Sequence, residues 1–205
     1  MIDLPPPDPS IEISLASRGI SKGISQTDGP QVLVRAELAF GSVYFGASAK
    51  NVTSTTSKGE GAGLIGIRTK AGSFDLAGSA AWKRALAPDG AVDANALEMA
   101  ASIARKFGPV IPRVAVTWSP DDLGSTGQST YIETSAAYRV TDAVALSAGL
   151  GRRWRKNGPD YTAYNAGIAY TLPKYFTVDL RYHDANRNLG DPFKGRVVLA
   201  GRAKF

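Results

Sequence analysis

The chain has 205 residues, no cysteine and a single histidine, which excludes disulfides and thiolate metal sites and leaves little material for histidine chemistry. Hydrophobic residues make up 43%, yet no run reaches the roughly 18 consecutive apolar residues that a membrane-spanning helix needs. The net charge of +6 would suit a nucleic-acid partner, but the basic residues stand singly within apolar segments. This pattern favours a polar interior, and we expect no nucleic-acid partner.

The N-terminal stretch 1–10 is rich in proline, which disfavours pairing as a strand. We expect it to be a short periplasmic lead-in, followed by one domain over residues 11–205. Met1 is not followed by the basic start and apolar core of a signal peptide, so we expect the sequence to represent the mature form.

Apolar and polar residues alternate along most of the chain. In Gln31–Phe40, Val32 and Val34 fall on one face while Arg35 and Glu37 fall on the other. The same period of two recurs in the segments 74–83, 131–140 and 176–184. A helix would place its apolar residues three and four positions apart, so this period predicts strands.

The connections between these strands alternate in length. Short connections are predicted at 41–42, 70–73, 108–111, 141–142 and 173–175, and longer ones at 26–29, 54–61, 85–96, 120–128, 156–159 and 186–194. Short periplasmic turns and longer extracellular loops are typical of outer-membrane barrels. The sequence therefore predicts an all-β fold, a transmembrane antiparallel up-and-down β-barrel of about 12 strands. Both termini are expected on the periplasmic side, in the outer membrane of a Gram-negative bacterium.

Aromatic residues lie toward the strand ends, as expected for the two interfaces of a membrane. The predicted girdle contains Trp82, Trp118 and Trp154 near the outer ends, and Phe40, Phe74, Tyr138, Tyr170 and Phe176 near the periplasmic ends. Phe205 ends an alternating final segment and resembles the signal that the outer-membrane assembly machinery reads in a last strand. Expected partners are this machinery, the lipid bilayer, lipopolysaccharide and small solutes.

The stretch from Lys22 to Pro30 reads KGISQTDGP and resembles the "R-G-(I/V)-S-Q-(T/S)-D-G-x-P" motif of the TorF-type porin family. The segment 41–52, GSVYFGASAKNV, is similar to the "G-F-Y-x-G-x-W-x-S-N-V" strand of that family. Lys22 replaces the arginine of the family motif. The resemblance covers about the first fifty residues and implies an outer-membrane barrel with porin function. Within the motif, Gly23 and Asp28 are suited to shaping a loop.

The strand alternation assigns a mainly basic set of side chains to the lumen. This set comprises Arg18, Lys22, Arg35, Lys50, Arg68, Lys70, Lys83, Lys106, Arg113, Arg139, Arg153, Arg181, Arg196, Arg202 and Lys204, with Glu12, Asp75, Glu98, Glu133, Asp179 and His183. Excess positive charge along a pore concentrates anions, which predicts passive diffusion of small, preferentially anionic solutes.

Two alternatives to this pore remain open. The first is a plugged structural barrel whose charges only pair with one another. A barrel of twelve strands is intermediate in width between eight-stranded barrels, which side chains fill, and barrels of sixteen or more strands, which enclose a water channel. The second is an outer-membrane enzyme acting on lipid, for which His183 would be the candidate residue. No serine is identifiably paired with His183, so we expect no enzyme and no catalytic residue, and no cofactor or metal site is predicted.

Overall fold

The computed structural model describes residues 5–54, 57–88, 93–124, 126–172 and 175–205. Its strands are β1 Asp8–Ala16, β2 Ile20–Ser21, β3 Ile24–Ser25, β4 Gln31–Phe40, β5 Val43–Ser54, β6 Ser57–Ala71, β7 Phe74–Leu86, β8 Asn95–Arg105, β9 Val110–Asp122, β10 Gly127–Arg139, β11 Val144–Arg155, β12 Tyr161–Leu172, β13 Phe176–Ala185 and β14 Arg196–Lys204. One short 3-10 helix, Asp191–Phe193, precedes β14. No helix among the described residues is long and apolar enough to span a membrane.

Twelve of these strands form a closed antiparallel barrel, in which β4 to β14 follow one another and β1 lies between β14 and β4. The barrel closes where Glu12 pairs with Lys204, and Ile11 and Phe205 exchange two backbone hydrogen bonds of 3.0 and 2.8 Å. An even number of strands allows this junction to be antiparallel like all the others. The predicted antiparallel barrel of about twelve strands is confirmed.

The distribution of polar and apolar side chains is the inverse of that in a soluble domain, with apolar residues outside and polar residues inside. Large apolar side chains such as Ile168, Leu146 and Leu180 are more than 40% exposed on the outer face. Arg35 and Glu37 point into the interior from between outward-facing valine, alanine and leucine residues, as the alternation in β4 predicts. An outer surface of this kind is stable only against hydrocarbon.

The two ends of the barrel differ. At one end, here called the turn end, strands are joined by the tight connections 41–42, 72–73, 106–109 and 140–143. At the other, the loop end, lie the longer connections 17–30, 156–160 and 186–195. The predicted turn 173–175 is only partly within the described residues.

Three sequence predictions of element boundaries are wrong, and one of them is the predicted loop 120–128, since β9 extends to Asp122 and β10 begins at Gly127. The barrel begins at Asp8 rather than at residue 11. Residues 8–10 pair with β4 but not with β14, so Pro9 is tolerated although it has no backbone N–H to donate toward β14. The predicted loop 54–61 is mostly strand, since β6 starts at Ser57. Its glycines are paired with β7, and the Leu86 side chain lies over Gly59 and Gly61.

The parity of β12 can be tested by placing arginine on adjacent residues. Ile168 is 43% exposed on the outer face, whereas Ala169 faces the lumen opposite Asp179. We expect Ile168→Arg to lower the free energy of unfolding in lipid bilayers by about 2–4 kcal/mol. Ala169→Arg should cost far less, because its charge stays in a polar interior beside a carboxylate. Equal losses in denaturant titrations of the two refolded variants would contradict the assignment of faces.

Candidate functional site

The connection between β1 and β4 folds back into the barrel instead of extending from it. Within it, β2 and β3 form a two-stranded hairpin, and the turn residues Lys22 and Gly23 both have positive φ, 49° and 81°. Positive φ at both central residues is the requirement of a type I′ turn, which explains the glycine at position 23 but not the lysine at position 22. We call residues 20–25 the internal hairpin.

The tip of the internal hairpin touches the barrel wall. A Cβ added to Gly23 would lie 2.1 Å from the Cβ of Ala163 on β12, so no larger residue fits there. At the base of the hairpin, the backbone N–H of Gln26 donates to the oxygen of Gly19 (2.8 Å). Glycine at position 23 therefore serves both the turn and the approach to the wall.

An ion-pair belt joins the internal hairpin to the wall near the loop end. The Lys22 ammonium lies 2.7 Å from Asp122 and 2.9 Å from Glu98. The same Asp122 oxygen also accepts hydrogen bonds from Arg153 (2.7 Å) and Ser129 (2.8 Å). The belt continues through Lys83–Glu98 (2.7 Å), Lys50–Glu60 (3.4 Å) and Lys83–Glu60 (3.8 Å). Its charges nearly balance, so most of its positive charge is neutralised within the belt.

A small apolar cluster holds the other side of the hairpin. Tyr161, fully buried, packs edge-on against Phe193 from the 3-10 helix, with ring centroids 5.2 Å apart. Ile24 of the hairpin packs against this pair, and the Tyr161 hydroxyl donates to the backbone oxygen of Lys22 (2.8 Å). The first and last long loops thus meet inside the lumen and narrow its loop end.

The half of the lumen nearer the turn end is more basic. Arg68 binds Glu37 with both nitrogens, at 2.5 and 2.8 Å, and its guanidinium lies 3.8 Å from the centroid of the Tyr44 ring. Arg35 approaches Glu37 at 3.5 Å. Arg113 has no ion pair or hydrogen bond with any described residue. The guanidinium groups of Arg35 and Arg68 therefore share the Glu37 carboxylate, and that of Arg113 has no acidic partner among the described residues.

Two internal cavities lie in these two parts of the lumen. One of about 480 Å³ is bounded by the internal hairpin, the ion-pair belt and Phe193. The other, of about 220 Å³, is lined by Arg35, Arg68 and Arg113 together with Tyr44 and residues of β7 to β9. The interior thus offers a nearly neutral, narrowed region followed by a basic one.

The family model of Gcw_chp, described as a bacterial protein of unknown function, matches residues 5–196. The chain belongs to this family. The finer assignment to TorF-type porins stays a prediction. No curated protein matches the chain significantly.

Three solved structures similar to this Gcw_chp chain are described as two porins and an outer-membrane channel. The KdgM porin is 9% identical with a TM-score of 0.66, and the alignment covers 96% of this chain and 99% of that one. The NanC porin is 6% identical with a TM-score of 0.66, covering 94% and 98%. The COG4313 outer membrane channel from Pseudomonas putida F1 is 10% identical with a TM-score of 0.55, covering 100% and 96%. At such identities the likeness establishes a shared barrel fold.

Most residues predicted to line the lumen do face it. From the strands these are Arg35, Lys50, Arg68, Lys83, Arg113, Glu133, Arg139, Arg153, Asp179, Arg181, His183, Arg196 and Arg202. Arg18 and Lys22 reach the lumen from the folded-in connection, where Arg18 pairs with Asp191 at 3.1 Å. Lys106 lies in the turn after β8 instead of on a strand. Their role in transport stays a prediction.

One further lumen network lies on β11 to β13. Arg181 donates to both oxygens of Asp179, to Asn165 (2.7 Å) and to Ser147 (2.7 Å). This arginine is fully engaged, and it differs in this respect from Arg113. His183 is half-buried on the same strand, next to Asn165 and Arg196 in the register, and makes no hydrogen bond to a described serine.

The predicted girdle residues lie near the strand ends on the outer face. Trp82, Trp154, Phe74, Tyr138, Tyr170 and Phe176 are 38–57% exposed, while Trp118 and Phe40 are less exposed. Phe205 is 68% exposed at the barrel junction. Their interface and assembly roles stay predictions. Glu60 and Asp122 were not predicted to face the lumen, because both fall in predicted loops; the glycines at the alternate positions 59, 61 and 63 were the signal that Glu60 lies on a strand.

Proposed function

We propose that this chain is an outer-membrane channel through which small solutes, preferentially anions, diffuse passively. The observation that carries the proposal is the excess of arginine in the basic half of the lumen, where Arg35 and Arg68 share Glu37 and Arg113 has no acidic partner among the described residues. A low-dielectric wall focuses the field of such charges and raises the local anion concentration. The apolar outer face supplies the wall, since it fits a bilayer.

The loop end sets the size of solute that can pass. The internal hairpin and Phe193 occupy part of the cross-section there, and the ion-pair belt holds the hairpin in place. The passage is therefore narrow, suited to small solutes. One similar protein was solved as "KdgM porin in complex with disordered oligogalacturonate", whose ligand is anionic, which agrees with the proposed preference.

Planar-bilayer recording tests this proposal. We expect the refolded protein to give discrete conductance steps, with a reversal potential in a KCl gradient that indicates chloride as the main carrier. Arg68→Gln should lower the anion-to-cation permeability ratio severalfold, because it also leaves the Glu37 carboxylate without its bidentate partner. Arg187→Gln, which removes the same charge from an exposed loop residue, serves as the control. Cation preference in the unmodified protein would refute the anionic selectivity.

A plugged structural barrel is the second candidate, because the internal hairpin and the ion-pair belt together fill much of the loop end. It predicts a folded barrel without any conductance steps. A lipid-modifying enzyme has less support, since His183 faces the lumen without a serine partner among the described residues. Unchanged lipid-modifying activity in His183→Ala would end that alternative.

We further propose that both termini lie on the periplasmic side of a Gram-negative outer membrane, with lipopolysaccharide and the assembly machinery as partners. The longer loops at the opposite end support this orientation. An epitope inserted in the connection 186–195 should be labelled on intact cells, and one at 140–143 should not.

A further inference from the structure

The 220 Å³ cavity in the basic half of the lumen is lined by hydrogen-bond donors. Arg35, Arg68 and Arg113 reach it from β4, β6 and β9. Ser79, Ser102 and Thr117 add three hydroxyls from β7 to β9. No acidic side chain among the described residues lines this cavity, and Glu37 is already engaged by Arg68 and Arg35. Asp75 lines a neighbouring cavity with Arg68 and Arg113, but it pairs with Lys70 at 3.7 Å. The cavity thus has a positive charge that its own walls do not neutralise.

Several of these donors have no protein partner. The Nε of Arg35 is buried without a hydrogen bond, which is uncommon for a buried polar atom. Arg113 makes no ion pair or hydrogen bond within the described residues, and the same holds for the hydroxyls of Ser79, Ser102 and Thr117. The Nε atoms of Arg105 and Arg153 are also buried without a partner, so the unpaired Nε of Arg35 alone does not distinguish this site. Ion pairing accounts for the guanidinium of Arg181, but it does not account for that of Arg113, which is exposed to the lumen.

Arg68, in contrast, is held rigidly. Glu37 fixes its guanidinium from one side, and the ring of Tyr44 packs on its flat face. Tyr44 is itself fixed, because its ring lies so close to Gly66 that a Cβ there would come within 2.3 Å of it. A guanidinium positioned in this way is preorganised to bind an anion without losing further conformational freedom.

We propose that this cavity, called here the arginine pocket, is a binding site for a small organic dianion whose charge lies on carboxylate or phosphate groups. The inference rests on the proposed channel function and names its solute class. Three guanidinium groups against one carboxylate leave a charge of +2, which a dianion neutralises. Arginine forks match both carboxylate and phosphate oxygens, and the hydroxyls can donate to further oxygens of the solute. The volume holds a molecule of a few carbon atoms but no large polyanion.

Titration calorimetry of the refolded protein in detergent tests the pocket independently of conductance. Succinate and glycerol 3-phosphate are the two probes, and butyrate is the monoanionic control. We expect both dianions to bind, with butyrate much weaker. Arg113→Gln should weaken dianion binding at least about tenfold, because an otherwise unpaired guanidinium is lost. Arg113→Lys should recover part of the affinity, since it restores the charge without the fork.

Arg139→Gln is the matched control, because Arg139 faces the lumen at the turn end, away from the arginine pocket. It should leave binding within about twofold of the unmodified protein, as expected for a distant exposed charge. Equal losses in Arg113→Gln and Arg139→Gln would overturn the pocket in favour of a diffuse field, and so would the absence of dianion binding. Binding without conductance would uphold the pocket and refute the channel, whereas conductance without binding would do the reverse. A heat-dependent gel shift confirms that each variant has folded.

Discussion

Replacing Asp122 by alanine should lower the free energy of unfolding of the barrel by about 3–5 kcal/mol. One oxygen of this buried carboxylate accepts hydrogen bonds from Lys22, Arg153 and Ser129. Lys22 would keep Glu98, but Arg153 would lose its ion-pair partner while remaining buried. A charge left unpaired in the interior is the costly outcome. Denaturant titration of the refolded protein in lipid bilayers measures the loss.

Asp160→Ala is the matched control for this variant. Its carboxylate lies at the same end of the barrel, 3.8 Å from Arg152, and both side chains are about one third exposed. Such an exposed pair contributes at most about 1 kcal/mol. The hydrogen bond that Asp160 accepts from the backbone N–H of Arg155 (3.1 Å) adds about 1 kcal/mol, so the expected loss stays below that of Asp122→Ala. Adding Arg153→Met to Asp122→Ala should recover part of the stability, because the unpaired charge is removed with its partner. A loss for Asp122→Ala no larger than that for Asp160→Ala would contradict the role of the ion-pair belt.

The faces of the strands could be predicted from the sequence because they depend only on a period of two. Arg35, Glu37 and Arg181 lie inward by alternation alone, whatever their distant contacts are. Strand boundaries were less predictable where composition suggested loops. The glycines of β6 are tolerated because neighbouring strands pair with them and Leu86 covers two of them, which local propensity does not reveal.

The internal hairpin depends on contacts that local patterns do not contain. The flanking pairs Ile20-Ser21 and Ile24-Ser25 and the glycine at position 23 give a partial signal for a tight hairpin, although Lys22 is not a residue that favours a type I′ turn. The position of the hairpin inside the barrel had no such signal, because Lys22 finds Asp122 one hundred residues later and Gly23 finds Ala163 later still. The position of the arginine pocket was likewise not predictable from local patterns, because its lining residues come from six adjacent strands.

Removing the internal hairpin should raise the single-channel conductance at least about twofold, because the narrowest cross-section of a pore dominates its resistance. Residues 20–25 can be replaced by two glycines, since Gly19 and Gln26 are already joined by a backbone hydrogen bond of 2.8 Å. Asp122 retains Arg153 and Ser129 in this variant, so the wall beneath the hairpin stays paired. Planar-bilayer recording of the refolded variant provides the measurement.

Deleting residues 187–189 is the appropriate control. These residues are exposed in the connection 186–195, so the deletion shortens a long loop and leaves the internal hairpin in place. Their removal should leave the conductance unchanged. If the hairpin deletion also leaves it unchanged, the constriction lies elsewhere, and the basic half around the arginine pocket becomes the next candidate. If the variant without the hairpin conducts and the unmodified protein shows no conductance steps, the hairpin is a plug and the unmodified barrel is closed. The size of the increase thus distinguishes a narrowed channel from a sealed one.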